Sequence, residues 1–467
     1  MEHIIQQIAG KLTEKITERL LLEHRFDIDD FSKTALEDCK MAAIQIAETV
    51  YSEMNLAVRE DKETRLEQGL LMKEKERKRQ ILTELGEFNI ERDYYYDRKK
   101  KSYVFPLDQL LGIEPRDRIS SGLSAELVAL STEHSYAQSS KLMTDGRVSR
   151  QTVRNKILKA PDLEKLPNCE EKKKVRELHI FADEDHVHLQ KPGKAKGKKS
   201  RMVPLVTVTE GVKCETGRHS TINPVHFVDS AFSSKAIWED VEGFVNLQYD
   251  MESVEKIYIH GDGATWIKSG THSFSNAEHI IDGYHLGKYL RALNNSFPKQ
   301  RARQTLENAI KGNNKEKADE FFVKLAAEAS DPKKTKLLEY AKSYFNSNWD
   351  GIVGRRTLDI PGSCTEGQVS HVLSCRFSRN PMGWSNAGLG KLSKLRVYKK
   401  NGGKIKAEHF KETYVNSEQI LPLYRSALEN VAGSFDWSIF EGGSKTIYAH
   451  SGTQELLKLM GRQRSII

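Results

Sequence analysis

The sequence predicts an α/β protein: a mixed sheet flanked by helices, interrupted by an all-α insertion and preceded by mainly α N-terminal regions. Three observations predict it. Residues 175–190 and 254–263 read as short β-rich strands, and each runs into carboxylates. Residues 286–349 are highly charged and helical in pattern, with breaks near Pro298, Gly312 and Pro332. Near the start of the chain, Ile4, Ile8, Leu12, Ile16 and Leu20 recur every four residues, which places them on one helical stripe.

A second N-terminal helix is expected over 31–56. A third is expected over 64–85, carrying Lys73, Lys75, Arg77, Lys78 and Arg79. Such a charged helix suits either a solvated bundle or a DNA-contacting arm. The period changes to two at 87–105, where Phe88, Ile90, Arg92, Tyr94 and Tyr96 face Tyr103–Phe105 across the basic tip 97–101. This is a β-hairpin. Its tyrosines and lysines suit phosphate contact and base stacking, and they also suit a plain exposed hairpin.

Residues 122–158 read as three short helices. A turn, Thr-Asp-Gly-Arg at 144–147, separates the second from the third, and Ser149 caps the third. The order matches a helix-turn-helix. Arg150, Gln151 and Arg154 on its last helix are residue types that read base edges in a major groove, although many αα-hairpins share this pattern without binding DNA. A linker at 159–174 contains Pro161 and Pro167. The sheet then begins at Val175. A basic turn at 191–201, with Lys196, Lys198, Lys199 and Arg201, is expected to lie where a nucleic-acid backbone crosses.

Returning strands are expected at 202–208 and 225–228, a helix at 233–247, and further strands at 257–259 and 277–281. A short turn makes the first two strands antiparallel. Three antiparallel strands, a helix and a fourth strand with an acidic end form the order of a ribonuclease H-like core. In that fold the first and fourth strands adjoin, so Asp183 and Asp262 would face each other. The expected divisions are a helical region 1–85, a hairpin and helix-turn-helix region 86–160, the first part of the core 175–285, the insertion 286–350, the last part of the core 351–400 and a C-terminal region 401–467. The last region has helical patches at 417–431 and 454–460.

Whole-chain quantities bound the function. The chain has 467 residues, enough for two to four domains at about 150 residues each. Hydrophobic residues make up 38% and mean hydropathy is −0.59, and no run approaches the ~18 apolar residues of a membrane span. The N-terminus lacks a signal-peptide pattern, so a cytoplasmic protein is expected. Five scattered cysteines, Cys39, Cys169, Cys214, Cys364 and Cys375, form no Cys-x-x-Cys pair and describe neither a zinc site nor a disulfide framework. The net charge of +8 suits a polyanionic partner.

The acidic positions carry the chemistry. Asp183, Glu184 and Asp185 interrupt an alternating apolar strand, where buried charge is costly unless compensated. A divalent cation held by carboxylates compensates it, and so does an exposed strand edge. Asp262 sits between Gly261 and Gly263 at a strand end, where open α/β sheets place ligands. Glu366 opens a helix, which equally suits a capping role. Asp183, Asp262 and Glu366 are 79 and 104 residues apart (183 to 262, 262 to 366). Three carboxylates from separate elements can hold two Mg²⁺ ions about 4 Å apart, one serving the attacking oxygen and one the leaving oxygen.

These stretches resemble a known family. Ala-Asp-Glu-Asp-His-Val-His-Leu-Gln (182–190), His-Gly-Asp-Gly-Ala-Thr-Trp-Ile (260–267), Asp-Gly-Tyr-His (282–285) and Glu-Gly-Gln-Val-Ser-His-Val-Leu-Ser (366–374) are similar to bacterial insertion-sequence transposases of the ISLre type. These are DDE enzymes distantly similar to the Mutator-like transposases. Arg376 and Pro-Met-Gly-Trp-Ser (381–385) extend the match, which covers most of the chain. The resemblance implies Asp183, Asp262 and Glu366 as a metal-binding triad for two Mg²⁺ ions, with Mn²⁺ able to substitute. It implies Asp282 and His285 as a supporting Asp-x-x-His pair, and 286–350 as the insertion before the final Glu. It also implies double-stranded DNA as partner, a homo-oligomer on DNA and a nucleoid-associated bacterial protein. Relatives often have Asp-Gly where this chain has Asp183-Glu184, and alternation puts Asp185 on the same face as Asp183. The match favours Asp183. A ribonuclease H-like nuclease without strand transfer and a non-catalytic DNA-binding derivative are the competing readings.

Overall fold

The computed structural model describes residues 2–22, 27–164, 166–167, 171–190, 200–329, 331–358, 360, 362, 364–380 and 382–411. The described residues divide into two units at the 120/121 junction. The hairpin therefore belongs with the N-terminal helices, and the three short helices belong with the larger sheet. The C-terminal patches at 417–431 and 454–460 lie outside the described residues.

In the first unit, α1 (Glu2–Leu22) and α2 (Ile28–Glu60) precede a short α3 (Lys62–Glu67). Asp27 caps α2 by accepting from Asp29 N, and Asp61 caps α3 by accepting from Thr64 N. The expected helix over 64–85 is corrected. α3 stops at Glu67, Gly69 takes a φ of +85°, and β1 (Leu70–Leu82) follows. β1 pairs antiparallel with β2 (Glu87–Asp97) from Leu70↔Asp97 to Leu82↔Glu87, and β2 pairs with β3 (Ser102–Val104). Leu70, Ile81, Phe88, Ile90 and Tyr95 bury against Met54 and Val58 of α2 and Leu107 of α4 (Pro106–Leu110). The charges between Leu70 and Ile81 hide the strand locally, and the ladder to β2 decides it.

The second unit opens with α5 (Ser121–Ser131), α6 (Tyr136–Thr144) and α7 (Arg150–Lys159). Ser135 and Ser149 cap α6 and α7. Asp145 and Gly146 adopt positive φ in the turn between them, as the Asp-Gly pair suggests. Leu123 and Leu127 of α5 and Val153 and Ile157 of α7 are fully buried.

The sheet consists of β4 (Glu177–His188), β5 (Ser200–Thr209), β8 (Val225–Phe227), β9 (Lys256–Gly261) and β10 (Ala277–Ile281), in the order β10-β9-β4-β5-β8. β6 (Val212–Glu215) and β7 (Arg218–Thr221) form a separate hairpin that the sequence reading did not include. β4, β5 and β8 are antiparallel neighbours, while β9 lies parallel to β4 and β10 parallel to β9. One face of the sheet, with Leu178, Ile180, Ala182, Val206, Ile257 and Ile259, packs on Ile237, Val241, Phe244 and Val245 of α8 (Ser234–Gln248). A short α9 (Thr265–Lys268) follows β9.

The insertion is helical as expected: α10 (Gly283–Ser296), α11 (Ala302–Lys311), α12 (Lys315–Ala327) and α13 (Pro332–Thr357). Its core joins Leu290, Leu306, Phe322 and Phe345 to Ile281 of β10. After it come α14 (Thr365–Val369), a π-helical turn at Ser370–Ser374, α15 (Cys375–Phe377) and α16 (Asn386–Lys400). No helix among the described residues is long and apolar enough to cross a membrane.

Candidate metal centre

Strand register sets the first two carboxylates. β4 and β9 pair in parallel from Glu177↔Lys256 to Phe181↔His260. Two residues further along each strand path stand Asp183 and Asp262, so both acids fall just beyond the last residues paired between β4 and β9. The flanking glycines make room. A Cβ on Gly261 would come within 2.8 Å of the Ala182 carbonyl, and one on Gly263, at φ +94°, would collide with the Asn348 side chain. Asn348 lies at a non-helical kink inside α13, so the insertion closes over the turn that carries Asp262.

Asp282 ends the path of β10. Its backbone N donates to the Gly261 carbonyl, and its Oδ1 accepts from Tyr284 N to cap α10. His285, one helical turn on, has Nδ1 3.6 Å from Asp282 Oδ2 and Nε2 3.9 Å from Glu366 Oε1. Ligand atoms of Asp282, His285 and Glu366 all lie within 4.8 Å of one another, a spacing that suits a shared cation. Glu366 is half exposed in the first turn of α14.

Electrostatics join these groups to Asp183. Burial, chiefly, and the nearby charges of Glu366, Glu184 and Asp262 push the Asp183 carboxyl up to about 7 against the Glu184 backbone hydrogen bond. The adjacent Asp282 carboxylate raises the His285 pKa, and the charges of Asp262 and Asp183 add to it against burial. A buried carboxylate set among like charges, with one backbone N–H and one imidazole beside it, fits a divalent cation, as do the oxygen and nitrogen donors themselves.

The crowded run 183–185 resolves into three settings. Asp183 feels the charges of Asp262 and Glu366, while the group at ligand distance among the described residues is Asp282, His285 and Glu366. Glu184 Oε2 accepts from Trp266 Nε1 at 2.7 Å. Asp185 Oδ1 accepts from Ser378 Oγ at 2.8 Å, which ties β4 to the segment just after α15. Asp282 and His285 stand within the acidic cluster rather than at its margin.

Of the expected DNA-contacting residues, Arg150 and Gln151 are exposed on α7, where Gln151 donates to Asn155 at 3.0 Å, and Arg154 is half buried. Arg201 donates to the Ala231 carbonyl and covers the Phe232 ring. Lys196, Lys198 and Lys199 lie outside the described residues. Sequence reasoning missed Asn348, Trp266 and Ser378, which acquire meaning only through partners distant in the chain. It also missed Arg396, which is 1% exposed and carries no local signal at all.

Fold and site together define a mixed α/β protein with an acidic, histidine-bearing group able to hold a metal ion. The chain belongs to UPF0236, an uncharacterised protein family whose model matches residues 21–413. It is 35% identical over 408 residues to a UPF0236 protein of Caldanaerobacter subterraneus subsp. tengcongensis whose name joins four loci, with 87% of this chain and 85% of that protein covered. A second protein of that organism, 34% identical over 87% of this chain and 85% of its own length, carries a name joining eleven loci. A UPF0236 protein from the vanSb 3′ region of Streptococcus gallolyticus is 24% identical over 69% of this chain and 73% of its own length.

Proposed function

We propose that the protein is a DDE transposase of a bacterial insertion sequence, with a ribonuclease H-like core that cleaves element ends and joins their 3′-hydroxyls to target DNA. The observation that carries this reading is the placement of Asp183 on β4 and Asp262 just past β9, each two residues beyond the paired Phe181 and His260, with the charge of Glu366, carried by a helix after the 286–350 helices, felt at Asp183. The strand order β10-β9-β4-β5-β8, with its parallel and antiparallel senses, supports the ribonuclease H-like assignment. Relatives named for four and for eleven loci of one genome support a mobile element, since transposition multiplies copies.

In this reading Asp183, Asp262 and Glu366 hold two Mg²⁺ ions, and Mn²⁺ can substitute. Bound ions would supply charge neutralisation at the phosphate and a more acidic attacking oxygen. Asp183, whose pKa burial and neighbouring acids push up to about 7, would need to be deprotonated to hold a cation. His285 lies between Asp282 and Glu366 with its pKa raised by the neighbouring carboxylates, placed to orient Glu366. Arg150, Gln151 and Arg154 on α7 are assigned to base contacts in double-stranded DNA, with Arg201 and the lysines at 196, 198 and 199 assigned to the phosphate backbone. A homo-oligomer would present two such sites to paired element ends.

The test uses a duplex copied from the DNA flanking the gene, a target plasmid and Mg²⁺. The expected outcome is 3′-end nicking followed by covalent joining to the plasmid, both stopped by EDTA. Nicking without joining would favour a plain nuclease, and joining that survives EDTA would overturn the two-metal reading.

A further inference from the structure

Glu366 is positioned unlike the other acids. Its helix α14 has only five residues and leads directly into the π-helical turn at 370–374. A π turn holds one residue more than an α turn, which makes it a site where register can change. Two carbonyls of that turn accept from one guanidinium. Arg396 of α16 donates Nη2 to the His371 carbonyl at 2.9 Å and Nε to the Val372 carbonyl.

The same guanidinium faces the other way as well. Its Nη1 donates to the Thr132 carbonyl at 2.6 Å and to Glu133 Oε2 at 2.7 Å. Beside it, Arg376 Nε donates to the Ser131 carbonyl at 2.9 Å, and Lys399 Nζ to the Ala129 carbonyl at 3.0 Å. These carbonyls belong to the C-terminal end of α5, where four carbonyls lack intrahelical partners and cations are favoured. Three cations from the segment around α15 and α16 therefore close the end of a helix that packs against α6 and α7. Arg396 and Arg376 are almost completely buried. Neither can release one side without leaving a desolvated charge, so the end of α5 and the π turn shift together.

We infer that Arg396 is a positioning residue that couples DNA engagement by α7 to the placement of Glu366. This inference rests on the transposase reading and says how its two ligands communicate. Duplex DNA on α7 biases the α5–α7 group, Arg396 passes that bias to the π turn, and Glu366 completes the cation site. The device would favour a competent metal centre when a duplex is bound. Thermodynamic reciprocity requires the cation to tighten DNA binding by the same factor.

The experiment measures Mn²⁺ affinity of the full chain by calorimetry, with and without a duplex copied from the DNA flanking the gene. It also measures affinity for that duplex with and without Mn²⁺. For the wild type, each ligand should tighten the other by roughly 5- to 100-fold. In Arg396→Lys, which keeps the charge but lacks the fork that reaches both carbonyl sets, that factor should fall towards one. The separate affinities for Mn²⁺ and for DNA should stay within about twofold, a split that general loss of structure would not produce. Glu133→Gln leaves Arg396 in place at a half-exposed partner and should lower the factor partway, so it decides the matter where Arg396→Lys does not fold. A wild-type factor retained in folded Arg396→Lys, or in Glu133→Gln where the lysine variant does not fold, overturns the inference, as does a wild-type factor of one. Mg²⁺-dependent joining by the wild type would leave the transposase reading standing in either case, whereas its absence removes both.

Discussion

The two halves of the acidic centre are held by different physics. Asp183 and Asp262 are fixed by a backbone ladder: β4 and β9 pair residue by residue, and the register that aligns Phe181 with His260 carries both acids to the same level. Glu366 has no such ladder. Its helix is positioned by side chains, through Arg396 on the π turn, Arg376 on the end of α5 and Asp185 on Ser378. A ladder spreads its position over many hydrogen bonds, so one side-chain change hardly moves it. A docked helix depends on a few buried charged contacts, each expensive to break. The strand-held pair should therefore be rigid, and the helix-held acid adjustable.

The largest effect expected is on chemistry. Asp183→Asn and Asp262→Asn should each lower strand joining by roughly a thousandfold, about 4 kcal/mol of barrier, and weaken Mn²⁺ binding in parallel. Under the proposed reading Glu366→Gln should match them, since all three acids would serve the same ions. Substantial joining by Asp183→Asn together with loss in Asp185→Asn would move the first ligand by one strand repeat and break the pairing of 183 with 262.

Stability should change in the opposite direction. In the cation-free protein Asp183 keeps its proton up to about 7, whereas the unfolded chain releases it near 3.8. The folded state binds more protons between these values, so stability falls as pH rises through that window. Asp183→Asn removes this penalty and should stabilise the cation-free protein by about 2–4 kcal/mol at pH 8, with little gain near pH 4. His285 adds to the trend, because a raised folded pKa gives stability that is present below 6.5 and lost as pH rises through that raised value. Mn²⁺ affinity should strengthen over the same range as both groups lose protons. Melting curves across pH check the first claim, and a cation-free Asp183→Asn less stable than wild type at pH 8 would contradict it.

A smaller effect separates the ladder from the docked helix. Ser378→Ala removes one tether of the Glu366 segment while leaving the strands alone. Joining should fall about tenfold, since small misplacements of catalytic groups cost rate well beyond their contact energy. Cation-free melting should change little, and an unaltered rate would mean that Glu366 needs no such tether. The smallest effect expected lies away from the acids. Gln151→Ala should reduce the preference for element ends over a scrambled duplex by a few fold, within the ~1–3 kcal/mol of one base contact, and leave affinity for the scrambled duplex unchanged. An unchanged preference would return α7 to a packing role.

Much of the centre was legible in the chain because strands and caps leave local marks. Alternation around Ile180 and Ile259 marked the two strands, the Gly-Asp-Gly turn marked the end of β9, and Ser149 marked the start of α7. The acids of 183–185 were legible as a group but not by role. Only the contacts with Trp266 and Ser378 distinguish Glu184 and Asp185 from Asp183. The stretch 70–82 misled because its interior is almost wholly charged, and charge has no period that separates helix from strand.

By itself, then, the sequence determined the strands of the five-stranded sheet, the helical stretch 286–350 and the strand or helix that carries each acid, because apolar period, turn residues and caps act within a few neighbours. Tertiary structure alone decided that 70–82 is a strand, that Asp183 stands level with Asp262, and that Arg396 reaches Thr132 and Val372 at once. Each of these depends on a partner that is distant in the chain or chosen only by packing. A buried guanidinium or an unpaired ladder edge acquires its energy only when that partner arrives, and nothing in its immediate sequence records it.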